Sequence, residues 1–548
     1  MAKMFRFGFL AVLLTAVALG QATLGGQQGT YDLLIRNGHI IDGTGNPWFA
    51  GDVGVRGDRI VAVGRLTGAT AKREIDARGL VVAPGFIDLH THSDLSLLTD
   101  GNAESKVRQG VTLDVIGEST SVAPRDGLPE AKDTWTDFTG YWRAIGRKGI
   151  SMNVISEVSF QQLRLVSVGY NPGPATIAQL ERMRTLAARS MEEGAWGLVA
   201  RFESGGPEQP EEVLEIAKVV AKYDGIYVTH IGSEGAEQDR ELDFAIRVAQ
   251  EAKLPVHIFH LKIRGEENWG TIGKYLDTIE AARARGLDIT ANQYPYTAMQ
   301  HGWSAFFPVW VREHGPQKFA AMLNDPATRA KIKGDKDFQT WVSEHGGWDG
   351  VVMGRARQPQ NRKYEGMRIP QIAKLRGDAD PADTCIQLMA EEGGNISGMF
   401  HTMSEADVRE VMRKTWVAVA SDGSAMNVNE EGVPHPRSFS TNPRVLGHYV
   451  RDERVLTLED AVRKMTSLPA QILGVRDRGQ IREGFAADLV VFNPASVRET
   501  TTFEKTKSYP EGIPYTIVNG VVVIDNGKHT GARPGRPLFG RGVKASVR

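Results

Sequence analysis

Val81-Val82-Ala83-Pro84-Gly85-Phe86-Ile87-Asp88-Leu89-His90-Thr91-His92-Ser93-Asp94 is an apolar run, broken by Asp88, that ends in two histidines one residue apart. Side chains at i and i+2 of a β-strand point to one face, so His90 and His92 can reach a common point. Neutral imidazole is the commonest nitrogen ligand for zinc and similar ions, and two of them at the polar end of a buried strand make half a metal site. An isolated His-x-His also fits a pair of solvated loop histidines. The choice between the two turns on whether further ligands recur downstream.

From Pro84 to about Val475 the sequence alternates strand and helix patterns. Strands are expected at Gly85–Leu89, Val111–Ile116, Met152–Ile155, Gly197–Ala200, Ile226–Thr229, Val256–Phe259, Asp288–Asn292 and Val417–Ala420. Amphipathic stretches such as Thr176–Glu193, Pro210–Tyr223 and Leu242–Ala252 separate several of them. Eight strands with helices between them is the count for a closed (β/α)8 barrel, whose chemistry sits at the carboxyl ends of its strands. The segment 304–376 breaks the rhythm and is expected to be an insertion over the barrel mouth, or else an ordinary surface excursion.

Both chain ends have another grammar. Tyr31–Ile41 and Ala50–Val63 read as short strands with Asn-Gly and Gly-Asp turns, and Ala487–Phe492 and Tyr515–Ile524 repeat the pattern. The expected fold class is therefore α/β: a metal-dependent barrel over residues 84–475 and a small β-sandwich built from residues 31–83 and 476–540. A chain of 548 residues exceeds what one hydrophobic core holds, which accords with two units.

A formal net charge of -1 gives no reason to expect a nucleic-acid partner. The single cysteine, Cys385, excludes an internal disulfide and reads as a small buried side chain. Lys3 and Arg6 precede an apolar run, Phe7–Leu19, and then small residues, the order of a secretory signal. Residues 1–22 are expected to direct export to a bacterial periplasm or beyond, by cleavage near Gly20 or Ala22, and to leave no stable membrane insertion. An uncleaved anchor is the alternative.

Further polar residues do recur at the strand ends. Glu118 follows the second strand, His230 ends Tyr227-Val228-Thr229-His230, and His260 ends Val256-His257-Ile258-Phe259-His260. Asp422 follows the last strand. Four histidines and two carboxylates in this arrangement match a hydrolytic centre with one or two metal ions. Singly, His230 also fits a buried core residue and Glu118 a helix cap, while the parity of His257 puts it on the opposite face.

With these motifs in view, the chain resembles the amidohydrolase superfamily and, within it, the N-acyl-D-amino-acid deacylase (D-aminoacylase) family, from roughly Tyr31 to Gly535. The resemblance rests on Pro84-Gly85-Phe86-Ile87-Asp88-Leu89-His90-Thr91-His92-Ser93-Asp94, Gln109-Gly110-Val111-Thr112, Tyr227-Val228-Thr229-His230, His260-Leu261-Lys262 and Tyr294-Pro295-Tyr296. It continues through His401-Thr402-Met403-Ser404, Ser421-Asp422-Gly423 and His435-Pro436-Arg437. It implies one or two zinc ions at the barrel mouth, one position held by His90, His92 and Asp422 and the other by His230 and His260. The ligand between the positions is a carboxylated lysine in the superfamily and a cysteine, within Gly-Asn-Cys-Gly, in D-aminoacylases. Here that place reads Gly117-Glu118-Ser119-Thr120, which makes Glu118 the candidate.

The implied reaction is amide hydrolysis by metal-activated water, with Asp422 taking the proton and passing it to the departing amine. Lys262, Tyr294 and Arg437 match the family's substrate-binding positions and are suited to a substrate carboxylate. Three departures bear on specificity. Gly232 stands where the family's Thr-His-x-Arg-x-Glu has arginine, residues 199–206 differ from its Gly-Leu-Ser-Thr-Gly-Leu segment, and Asn292 replaces an expected aspartate. Arg201 is a candidate to restore the missing charge. The substrate expected is an N-acyl-D-amino acid, with a dipeptide bearing a free carboxylate as the alternative. Cyclic amides rank lower, and a catalytically silent metal-binding barrel would have lost a ligand or the base.

Overall fold

The computed structural model describes residues 30–118, 122–128, 134–171, 173–202, 209–235 and 238–547. The expected export segment, residues 1–22, lies outside the described residues, as do residues 119–121, residues 203–206 and the side chain of Arg201.

Eight parallel strands form the centre: β1 (Phe86–Asp88), β2 (Val111–Ile116), β3 (Asn153–Ser156), β4 (Gly197–Phe202), β5 (Ile226–Ile231), β6 (Val256–Ile258), β7 (Ile289–Gln293) and β8 (Val417–Val419). β1, β2 and β3 pair in that order. Past Glu157 the chain continues as Val158–Ser159, which pairs with β4, and β4 to β8 then follow in order. The ring closes just beyond β1 and β8, where Thr91 bridges Gly423, Asp422 N–H donates to His90 O (2.9 Å) and His92 N–H donates to Gly423 O (3.1 Å). Every residue of β2 and β7 is buried, as expected of strands covered on both faces.

The helices follow from their sequences. Over Ile177–Glu192, Met183, Leu186, Ala187, Ser190 and Met191 are buried at spacings of three and four, and a Thr176/Gln179 capping box starts the helix. Burying a side chain such as Leu186 contributes about 1.5–3 kcal/mol. Pro210–Ala221 opens with proline and places Glu211 and Glu212 in its first turn, where they complement the helix dipole.

The chain ends share one nine-stranded sheet. Val81–Pro84 from the N-terminal side pairs antiparallel with Leu489–Phe492 from the C-terminal side. Tyr31–Ile40 pairs with three neighbours, so the sheet branches there and folds over a core that includes Leu33, Ile35, Val53, Val82, Leu489 and Ile517. Asn519-Gly520 forms the expected tight turn, with φ of 48° and 78°. Asn37-Gly38 does not: it lies in a bulge inside one strand, because Asp52 accepts from Asn37 N–H and pairing resumes at Gly38, opposite Gly51. From Gly535 the tail leaves this sheet for the barrel, Gly535 N–H donating to Ile150 O and Leu538 N–H to Val154 O, both at 2.8 Å.

The excursion after β7 is wider than the 304–376 expected. It includes an antiparallel sheet of Ala298–Gly302, Ser397–His401 and Val351–Arg355, with Pro316–Met322, Pro326–Gly334 and Lys336–Glu344 helical between the first strand and the last. Ala298–Gly302 carries no β-branched residue and no alternation that would mark it as a strand.

Candidate metal centre

The six residues singled out at the strand ends meet at the carboxyl end of the barrel. His90 and His92 follow β1, Glu118 follows β2, His230 lies in β5, and His260 and Asp422 follow β6 and β8. His260 and Asp422 both have left-handed backbone, with φ of 33° and 51°. Non-glycine residues hold that conformation at a cost, and such strain concentrates at functional sites. Gly117, with φ of 107°, has space for no side chain, since a Cβ would lie 2.2 Å from Glu157 O. This turn aims Glu118 inward.

Glu118 occupies the middle. Its Oε2 contacts His90 Nε2 and lies 3.3 Å from His92 Nε2, while its Oε1 is 2.7 Å from His230 Nε2. Asp422 Oδ1 lies 2.9 Å from His92 Nε2 and 3.5 Å from His90 Nε2, and its Oδ2 lies 3.8 Å from His260 Nε2. Two donor groups result, one of His90, His92, Glu118 and Asp422 and one of His90, His230 and His260. The oxygens of Glu118 thus face both.

The electrostatics fit a cation. Burial would raise the Glu118 carboxyl, but the imidazoles of His92, His230 and His90 outweigh it and hold it well below the usual range. Burial likewise opposes ionisation of Asp422, yet Arg437 and His90 keep its carboxyl well below normal. Burial would lower His92, but Glu118 and Asp422 raise it to about 9. Burial and Lys262 push His260 down to about 3, so the ring is neutral and one of its nitrogens carries a free lone pair. Converging imidazoles and ionised carboxylates are the donor set of zinc and related ions.

His257 is a core residue, as its parity indicated, with Nδ1 2.8 Å from Thr290 Oγ1 and Nε2 2.9 Å from Asn292 Nδ2. Tyr294 is buried, its hydroxyl reaching Met403 Sδ (3.8 Å) and its ring lying between Lys262 and Arg437. Arg437 Nη1 is 2.7 Å from Asp422 Oδ2. Lys262 is engaged within the protein, its Nζ 2.6 Å from Glu234 Oε1 and 2.5 Å from His260 Nδ1.

Sequence reading gave no role to four neighbours. Glu234, four residues after His230 in the quoted motif, is 3.0 Å from His260 Nδ1. Lys106 is fully buried, and its Nζ donates to Asp88 Oδ2 (2.9 Å) and Ser421 Oγ (2.7 Å) beneath the site; the one polar residue in the β1 run, Asp88, was the available signal. Arg264 pairs with Glu344 of the excursion (3.0 Å) and stacks on Trp341, a contact too distant in sequence to foresee. Burial and the nearby Glu118 and Asp94 carboxylates push the Glu157 carboxyl well above its ordinary value.

A cavity of about 240 Å³ opens on the centre and is lined by Glu118, His230, His260, Lys262, Tyr294 and Trp341 among others. A second, of about 410 Å³, shares His92, His301 and Asp422 with it and extends past Arg437 to Arg355 and Ser397.

Comparison with known proteins gives this arrangement a context. The model of the Amidohydrolase family matches residues 73–323 and 368–524. D-aminoacylase of Alcaligenes xylosoxydans xylosoxydans is 33% identical over 93% of this chain and 97% of its own length. A solved D-aminoacylase, described with a binuclear metal centre, superposes with a TM-score of 0.77 at 30% identity, covering 93% of this chain and 100% of that one. N-acyl-D-glutamate deacylase from Bordetella bronchiseptica, solved with zinc and a phosphonate mimic of the tetrahedral intermediate, superposes with a TM-score of 0.78 at 28% identity and the same coverage. With the family model matched over most of the sequence and full-length relatives sharing both fold and hydrolytic activity, the chain belongs to the amidohydrolase family and is a hydrolase of amide carbon–nitrogen bonds.

Proposed function

We propose that this enzyme is a zinc-dependent deacylase of N-acyl-D-amino acids. The observation that carries the reading is Glu118, whose two oxygens face two sets of imidazoles at the floor of a cavity also lined by Lys262 and Tyr294. His90, His92, Glu118 and Asp422 would hold one ion, and His230 and His260, with Glu118, a second. A bound zinc ion supplies acidification of water, to a pKa of about 7, and polarisation of the scissile carbonyl.

The protein's own groups do the rest. Asp422, ionised and fixed by Arg437 and His92, takes a proton from the attacking water and returns it to the departing amine. The substrate carboxylate is received by Lys262, Tyr294 and Arg437. Arg437 brings a planar fork suited to two oxygens, Tyr294 an O–H donor, and Lys262 a charge already shared with Glu234. Dipeptides with a free carboxylate are the second reading, favoured by the polar second cavity beyond Arg437, which has room for an aminoacyl group. The charged, apolar, small-residue order of residues 1–22 supports export.

The test is hydrolysis of N-acetyl-D- and N-acetyl-L-amino acids and dipeptides by purified protein of measured metal content. Turnover of acylated D-amino acids, lost on chelation and restored by zinc, is expected. Fully metallated protein that leaves all of them intact overturns the proposal.

A further inference from the structure

We propose that Glu234 is a positioning residue: its carboxylate fixes the ring of His260 and thereby sets the affinity of the metal position that His230 and His260 share. The inference rests on the metal-dependent reading above.

His260 presents its two nitrogens to different partners. Nε2 faces the centre, 3.8 Å from Asp422 Oδ2, whereas Nδ1 lies 3.0 Å from Glu234 Oε1. An imidazole binds a cation through the nitrogen that carries no proton, and the hydrogen bond made by the other nitrogen decides which one that is. Nδ1–H donating to Glu234 leaves the Nε2 lone pair directed into the site. The Lys262 ammonium, 2.5 Å from the same Nδ1, competes by offering that nitrogen a proton, and the tautomer it favours would carry hydrogen on Nε2 and bind no ion. Glu234 decides the contest, because its Oε1 also accepts from Lys262 Nζ at 2.6 Å and so holds the ammonium while accepting from the ring. His90 differs: its buried Nδ1 has no hydrogen-bond partner among the described residues.

Glu234 is built for this. Its backbone is left-handed, with φ of 47°, and its carbonyl accepts from Arg264 N–H (2.7 Å). A side chain on the next residue, Gly235, would lie 2.4 Å from Glu344 Oε1, so the turn is packed from outside as well. A carboxylate behind a metal-binding histidine fixes its tautomer and orientation, and its loss lowers metal affinity by about 10–100-fold.

The experiment is a zinc titration of metal-stripped protein against a chromophoric chelator, which yields a dissociation constant for each ion bound. In Glu234→Gln one ion is expected to bind about 10–100-fold more weakly while any other keeps its affinity, and Lys262→Met should bind every ion at least as tightly as the parent. Should Glu234→Gln fail to fold, Glu234→Asp, which keeps the charge but withdraws the carboxylate by one methylene, is expected to weaken the same ion. Parental affinities in the Glu234 variants overturn the inference, and so does an equal loss in Lys262→Met, which would make Glu234 merely the anchor of Lys262. A parent that binds no zinc overturns the metal-dependent reading itself.

Discussion

Replacing Asp422 by asparagine separates two contributions of one carboxylate. The amide keeps the shape of the side chain but accepts no proton, and loss of a positioned general base lowers turnover by about 10²–10⁴-fold, equivalent to about 3–5.5 kcal/mol. The second contribution is structural. Asp422 pairs with Arg437 at 2.7 Å, and the two side chains are 7% and 4% exposed. Removing one partner of a buried pair costs about 3–5 kcal/mol, because the other charge is left uncompensated. Arg437 would keep a long bond to Gln300 O, 3.3 Å, and its contact with the Tyr294 ring, 4.9 Å to the centroid, but would lose its carboxylate partner. Adding Arg437→Met removes the stranded cation and should restore most of the stability without restoring any turnover, since the same residue is assigned to the substrate carboxylate. Urea melts of metal-stripped parent, single and double variants measure the first quantity, and hydrolysis of an N-acyl-D-amino acid by metallated protein measures the second. Retention by Asp422→Asn of more than about a tenth of parental kcat would refute the base assignment. A double variant no more stable than Asp422→Asn would refute the account of Arg437.

Lys106→Met strands the Asp88 carboxylate in a fully buried setting and should lower unfolding free energy by about 3–5 kcal/mol in urea melts. Gly117→Ala forces a Cβ to 2.2 Å from Glu157 O at φ of 107°, so thermal melts should show a loss of at least about 1–3 kcal/mol, together with reduced metal content. Burial and Asp137 raise the Glu193 carboxyl to about 6 in the folded protein. The folded state therefore holds more protons than the unfolded one between about pH 4.5 and 6, so this group's contribution to stability is present below that window and is lost as pH rises through it; Glu193→Gln should flatten that part of a melting profile recorded against pH. Glu118→Cys replaces a hard oxygen donor by a soft sulfur and, if residue 118 holds an ion as proposed, should raise preference for cadmium over zinc in competition dialysis. An unchanged preference would argue that residue 118 does not touch the ions.

The barrel was legible because its strands are short apolar runs between amphipathic helices, and the period of each pattern is set by the element that it forms. The six site residues were legible for a related reason: a parallel barrel delivers the residue after every strand to one rim. His90, His92, Glu118, His230, His260 and Asp422 needed only their positions relative to the strands. Ala298–Gly302 was not legible, since its strand character comes from pairing with Ser397–His401, about a hundred residues away.

What sequence concealed most fully is the layer behind the ligands, and the reason is physical. A ligand must project into the cavity, which ties it to strand parity, whereas its supporting partner can come from any element that packs against it. Lys106 reaches Asp88 and Ser421 from a four-residue helix, Glu104–Val107, that precedes β2. Arg264 meets Glu344 across eighty residues. Glu234 lies across the rim, 3.0 Å from Nδ1 of His260, a ring delivered by the next strand. The six rim residues supply the donor set on which the proposed reaction rests. These buried charge pairs, each of which would be costly alone and is tolerated only because it is matched, hold the ligands in the one arrangement where four imidazoles and two carboxylates share a few ångströms.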